Sequence, residues 1–111
     1  MKQYEIWWAK LPASAGKRPV LLLTREGAYS YLNKFVVAEI TTTIREIPVE
    51  VPVGPAEGLP KRCVVNCDNL RTVARSWLVK RLGTLPARRH PEVKRAVGYA
   101  LGWEELITAG P

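Results

Sequence analysis

Gly16-Lys17-Arg18-Pro19-Val20-Leu21-Leu22-Leu23 is followed by Val36-Val37-Ala38-Glu39-Ile40-Thr41-Thr42 and then by Cys63-Val64-Val65-Asn66-Cys67-Asp68-Asn69-Leu70-Arg71-Thr72. Each stretch reads as a short buried strand bordered by polar groups. The first opens on cations and the second closes on hydroxyls. The third runs into an Asp-Asn pair suited to closing a turn with its own backbone, followed by Leu70 as a core filler and a further cation.

Working outward, residues 3–10 alternate Tyr4, Ile6 and Trp8 against Glu5 and Trp7, the period of a strand with one core face. Neighbouring strand residues point oppositely, so Trp7 or Trp8 should face away from the core. There it could stack a base, although packing on a protein partner is the favoured reading. Residues 11–16 form a Pro-, Ser- and Gly-containing turn, and residues 18–24 a strand that Pro19 tolerates at its entry. Residues 28–33 suit one helical turn. A strand over 34–42 should point Val36, Ala38 and Ile40 one way and Val37, Glu39 and Thr41 the other.

Ile47, Val49, Val51 and Val53 alternate with Pro48, Glu50 and Pro52, and the two prolines make this an edge strand. Strands over 62–67 and 78–85 flank a polar turn and a helical turn near 74–77. From Pro91, the spacing of Val93, Ala96, Val97, Ala100 and Leu101 describes an amphipathic helix stopped by Gly102. The expected fold is mainly β: a small, strongly bent antiparallel sheet or open barrel with a C-terminal helix packed on it.

The 111 residues suit one domain, with room for a single core rather than two. Seventeen Lys and Arg against ten Asp and Glu give a net charge of +7, and the excess is uneven. Residues 61–95 carry ten basic and two acidic side chains, whereas four glutamates between 39 and 57 face only Arg45. A directional basic surface suits a polyanion. No apolar run approaches the roughly 18 residues of a membrane helix, and no targeting signal is evident, so the expected location is the cytoplasm. Cys63 and Cys67 lie four apart on one strand, about 13 Å at full extension, which suits two buried thiols rather than a disulfide or a zinc site.

A polyribonucleotide can be cut without a metal if three things are supplied: removal of the 2′ proton, stabilisation of charge on the phosphorane, and protonation of the leaving 5′ oxygen. His90 is the only histidine, so a two-histidine mechanism is excluded, and its place in Arg88-Arg89-His90-Pro91 suggests a solvated surface role. No carboxylate pair has metal-like spacing, which leaves arginine and hydroxyl chemistry and no expected cofactor. Arg18 offers a rigid fork of donors matched to phosphate oxygens. From residue type alone the favoured reading is an ordinary strand-edge arginine, and for Thr41-Thr42-Thr43 an ordinary strand end.

Arg18-Pro19 with its aliphatic run, the Ile40-Thr41 strand end and the Asp68-Asn69-Leu70-Arg71-Thr72 stretch together resemble the MazF/PemK (Kid-like) family of toxin endoribonucleases. The resemblance spans residues 5 to about 101. It implies an SH3-like barrel with a helix on its side, and a homodimer neutralised by an acidic antitoxin. It also implies a metal-independent endoribonuclease acting on mRNA or tRNA and leaving 2′,3′-cyclic phosphate and 5′-OH ends. By position, Arg18 and Thr41 would be the catalytic residues. Lys17, Thr42, Arg71, Arg75 and Arg81 would hold substrate, with Arg71 either touching RNA or bracing the turn. Several of Lys80, Arg88, Arg89, Lys94 and Arg95 would follow the phosphate backbone.

Two departures from the family stand out. The loop over residues 12–17 is short, which would leave the cleft open to a folded RNA such as a tRNA hairpin. No carboxylate precedes Arg18, so that loop offers no acidic general base. The tail over 103–111 matches no part of the family pattern. A non-catalytic RNA-binding barrel, or a protein-binding toxin of the gyrase-poison type acting through that tail, remain the alternatives.

Overall fold

A computed structural model describes residues 1–12 and 16–108 of the chain. Six strands form one antiparallel sheet: β1 (Glu5–Leu11), β2 (Gly16–Leu22), β3 (Lys34–Thr41), β4 (Glu50–Val53), β5 (Cys63–Ala74) and β6 (Leu78–Thr84). Their order across the sheet is β4-β5-β3-β2-β1-β6. Two helices follow, α1 (His90–Leu101) and the single turn α2 (Glu104–Ile107). This is the mainly β, curled half-barrel with a C-terminal helix that the hydrophobic alternation implies. Within the expected turn over 11–16, residues 13–15 lie outside the described residues.

The core differs from the expected single cluster. The curl lets both faces of the sheet bury side chains. Ile6, Leu21, Ala38, Ile40 and Val65 pack with Val93 and Ala96 of α1 on one face. Val20, Leu22, Phe35, Val37 and Val73 pack with Tyr29 and Leu78 on the other. One consequence is that neither Trp7 nor Trp8 points into open solvent. Trp7 packs against the second cluster and donates its indole N–H to Glu5 Oε1 at 3.0 Å, while Trp8 is half-buried on the first face. Trp103, 50% accessible, is the strongly exposed tryptophan instead.

The expected turn at Asp68-Asn69 is also not a chain reversal. β5 runs straight through it for 12 residues, and the ladder with β3 jumps from Glu39↔Asn66 to Ala38↔Leu70. Cys67, Asp68 and Asn69 therefore form a bulge, held when the Asn66 side-chain oxygen accepts the Asp68 N–H at 2.9 Å. β4 lies at the sheet edge as its prolines require, but it starts only at Glu50. The Glu50 carboxylate accepts the backbone N–H groups of Arg45 and Glu46, which fold the preceding segment back as a loop.

The two sheet edges are brought together by glycine. A Cβ on Gly58, after β4, would stand 2.0 Å from the Leu82 carbonyl oxygen, and one on Gly83 of β6 2.1 Å from that of Glu57. Two backbones pass here at a distance that excludes any side chain. Buried Glu57 fixes the crossing by accepting the Gly54 N–H at 2.6 Å and pairing with Arg89 at 3.3 Å.

α1 presents Val93 and Ala96 to the sheet and stops at Gly102, whose φ of 71° suits glycine. Leu101, expected on the buried face, is exposed. The chain then turns α2 back onto α1, where a Cβ on Gly98 would lie 2.9 Å from the Ile107 nitrogen. The tail, described as far as Thr108, is thus docked. His90 is not a solvated loop residue either: it opens α1 and stacks on Tyr4, with centroids 3.4 Å apart and its Nε2 2.9 Å from the Leu85 carbonyl oxygen.

Gly83→Ala forces the crossing apart, and unfolding in urea should show a loss of about 1–3 kcal/mol, in the range of overpacked sites. Unchanged stability would mean that the two edges are not held in contact.

Candidate RNA-cleavage site

β2 and β3 pair with Val20 opposite Glu39. Two steps further on, the same register brings the start of β2, carrying Arg18, beside the end of β3, carrying Thr41. The curl gathers these strand ends around a cleft of about 210 Å³. Trp8, Pro19, Ile40, Cys63, Leu59 and Pro60 give it an apolar lining. Lys17, Arg18 and Lys61 bring positive charge, and Thr41 and Thr42 bring hydroxyls, with no carboxylate among the lining residues. Such a site suits an anion carried on a flat apolar group.

The Thr41 hydroxyl oxygen accepts the Thr43 N–H at 3.1 Å. With one lone pair engaged, the hydroxyl keeps its proton for an acceptor in the cleft. The Arg18 Nε is shut off from water and has no hydrogen-bond partner among the described residues; it lies 3.5 Å from Glu39 Oε1, as an ion pair. Arg71 meets the other oxygen of the same carboxylate at 3.2 Å. Burial pushes the Cys63 thiol up, and Cys67, four residues along β5 in the same core cluster, is pushed up to about 12 by burial and by Asp68. Neither thiol is primed as a nucleophile.

Of the expected site residues, Arg18, Thr41, Lys17 and Thr42 line the cleft. Arg71 does not; it stands behind it, on Glu39. Arg75 and Arg81 do not line the cleft either, and each has a partner within the fold. Arg75 donates to the Tyr29 and Leu32 carbonyls and lies over the Phe35 ring, tying the loop before β3 to the end of β5. Arg81 meets the Glu5 carboxylate through Nε at 3.0 Å and stays half exposed. Arg89, expected on a phosphate track, bridges Glu57, Glu92 and the Pro52 carbonyl instead. Buried carboxylates and orphan carbonyls claim these cations first. Lys61 and Glu39 carry no role in the sequence reading, and Trp8 enters it only as one of two tryptophans for base stacking or a protein partner. The sign for Glu39 was a charge inside an apolar strand, on the same face as Thr41.

With this geometry in view, the chain's relatives can be compared. Residues 2–101 match the family model described as PemK-like, MazF-like toxin of type II toxin-antitoxin system. The chain belongs to that family. It is 43% identical over 90 residues to endoribonuclease MazF3 of Mycobacterium tuberculosis, covering 81% of this chain and 87% of that protein. It is 42% identical over 98 residues to probable endoribonuclease MazF5 of the same species, covering 87% and 89%. Among solved structures it superposes on Mycobacterium tuberculosis toxin MazF-mt6 with a TM-score of 0.82 at 40% identity, over 88% of this chain and 96% of that one. A mycobacterial endoribonuclease in complex with its cognate antitoxin aligns with a TM-score of 0.80 at 25% identity, over 93% and 96%.

Glu5 gives a test of the part Arg81 plays in the fold. Burial pushes its carboxyl up, but hydrogen bonds from Trp7, the Lys2 N–H and Arg81 outweigh this and hold it below the usual 4.5. A lowered folded value means that the stabilisation is complete above the unfolded value and is lost as pH falls through the folded one. Arg81→Gln should therefore move acid unfolding to higher pH while RNA cleavage at neutral pH stays within about twofold, the ordinary scatter of a surface substitution. A large loss of cleavage with an unchanged acid transition would return Arg81 to the substrate.

Proposed function

We propose that this chain is the toxin of a type II toxin–antitoxin pair and a metal-independent endoribonuclease whose reaction runs in the Arg18–Thr41 cleft. The observation that carries this reading is the convergence of Arg18, Lys17, Lys61 and the Thr41 hydroxyl on one cleft without a lining carboxylate. The 2′ oxygen attacks the adjacent phosphorus, the P–O5′ bond breaks, and the 2′ proton leaves to be replaced by one on the 5′ oxygen. Arg18 stabilises the charge gathering on the phosphorane oxygens and relays the proton, and Thr41 fixes the phosphate by donating to a non-bridging oxygen. Lys17, Thr42 and Lys61 hold the flanking chain.

The products on this reading are a 2′,3′-cyclic phosphate and a 5′-OH. The substrate is cellular RNA, mRNA or tRNA, met in the cytoplasm, and no helix among the described residues is long and apolar enough to cross a membrane. An acidic antitoxin and a second copy of the chain are the expected partners. The antitoxin is supported by the solved complex of a mycobacterial relative with its own.

Purified protein should cut total RNA and end-labelled tRNA at discrete sites in EDTA, leaving 5′-OH ends. Arg18→Ala should lose about a hundredfold or more, as removal of a transition-state donor does, and Thr41→Ala should be strongly impaired too. RNA left whole by a wild type that binds it would favour the non-catalytic barrel. Growth arrest with intact RNA would favour the protein-binding toxin.

A further inference from the structure

We propose that Glu39 is the positioning residue of this site: one carboxylate that holds Arg18 by an ion pair at its Nε and couples Arg71 to the same unit. The inference rests on the assignment of Arg18 above. β3 is flanked by β2 and β5, and Glu39 has an arginine diagonal to it on each side. Val20 is its partner on β2, so Arg18 lies two residues along. On β5 the bulge sets Arg71 opposite Val37, two residues back on the same face. Diagonal neighbours of this kind are within reach of long side chains. Without the three-residue jump at Cys67-Asp68-Asn69, the register that sets Asn66 opposite Glu39 would bring Asp68 opposite Val37 and place a carboxylate there instead.

The two oxygens are divided between the cations, Oε1 at 3.5 Å from Arg18 and Oε2 at 3.2 Å from Arg71. Glu39 is the least exposed of the three, at 18% against 36% and 37%. A carboxylate 3.5 Å from Nε holds the guanidinium in place by charge rather than by a hydrogen bond, and leaves both terminal nitrogens to a phosphate. It also permits two arginines to stand close together: with Glu39 ionised the trio sums to +1, and without it to +2. Removing Glu39 should therefore strengthen attraction for RNA while disordering the fork that has to meet the phosphorane. Binding and turnover should move in opposite directions.

The test uses the full chain and a single-stranded RNA of randomised sequence carrying a fluorophore and quencher. Turnover is measured beside the anisotropy of a 2′-deoxy version, with a thermal melt of every variant. Glu39→Gln should lower kcat by about tenfold or more, as misplacement by about 1 Å can, with equal or tighter binding. Arg71→Gln should lower kcat severalfold in the wild-type background and have almost no effect added to Glu39→Gln, since residues acting through one partner are not additive. Arg71→Lys should recover most of the loss.

A kcat for Glu39→Gln that is unchanged or raised per folded molecule would overturn the proposal, because Glu39 would then only brace the sheet or compete with phosphate. Additive losses would overturn the coupling to Arg71. If Glu39→Gln failed to fold, the Arg71 pair alone would decide: no kcat effect from Arg71→Gln would contradict the clamp. An Arg18→Ala protein that still turns over fully would fell the Arg18 assignment and the clamp with it, whereas an inactive Arg18→Ala beside a fully active Glu39→Gln would fell the clamp alone.

Discussion

The bulge at Cys67-Asp68-Asn69 is the constraint on which the rest of the molecule depends. β5 is the longest strand and pairs with β4 on one side and β3 on the other. The three added residues divide its ladder with β3 into two registers, and a bulged strand bends and twists more strongly than a regular one. Val65 and Leu70, on either side of the bulge, pack with the first cluster, while Val73 beyond it packs with the second. The same offset aligns Arg71 with Glu39. One irregularity thus serves both the two-sided core and the charge arrangement behind the cleft.

Basic residues in this chain do two kinds of work, and composition does not separate them. Arg75, Arg81 and Arg89 each satisfy carboxylates or carbonyls inside the fold. Lys17 and Arg18 at the start of β2 and Lys61 just before β5 converge on the cleft from two different segments. A partly buried carboxylate without a partner is costly, so an arginine within reach is drawn in before any ligand arrives. Exposed cations elsewhere add attraction for a polyanion but do not place the reacting phosphate. The chemistry thus belongs to a few side chains at strand ends, held from behind by a sheet filled on both faces.

Much of this was legible in the sequence because period-2 alternation survives in the short strands. The edge position of β4 followed from Pro48 and Pro52, and the stop of α1 from Gly102. The meeting of Arg18 and Thr41 was foreshadowed by their places at opposite ends of adjacent strands. What could not be read depends on long-range geometry. The same Asp-Asn pair serves a turn or a bulge, and only pairing with β3 decides which. Trp7 and Trp8 alternate as expected, yet both are partly covered because the sheet has two apolar faces. Arg75 and Arg81 carry no local mark of their buried partners. Glu39 did carry one, as a lone charge in an apolar run, but its meaning needs the register of both neighbouring strands.

The central claim is that one phosphate of the RNA is held between Arg18 and Thr41. The most direct measurement is a crystal structure of the protein with an uncleavable RNA carrying a 2′-deoxy nucleotide at the mapped cut site. The account predicts the scissile phosphate in the cleft, with non-bridging oxygens hydrogen-bonded to the Arg18 terminal nitrogens and the Thr41 hydroxyl, and with Glu39 still on Nε. A scissile phosphate seated along β6 or α1, with Arg18 and Thr41 untouched, would contradict it.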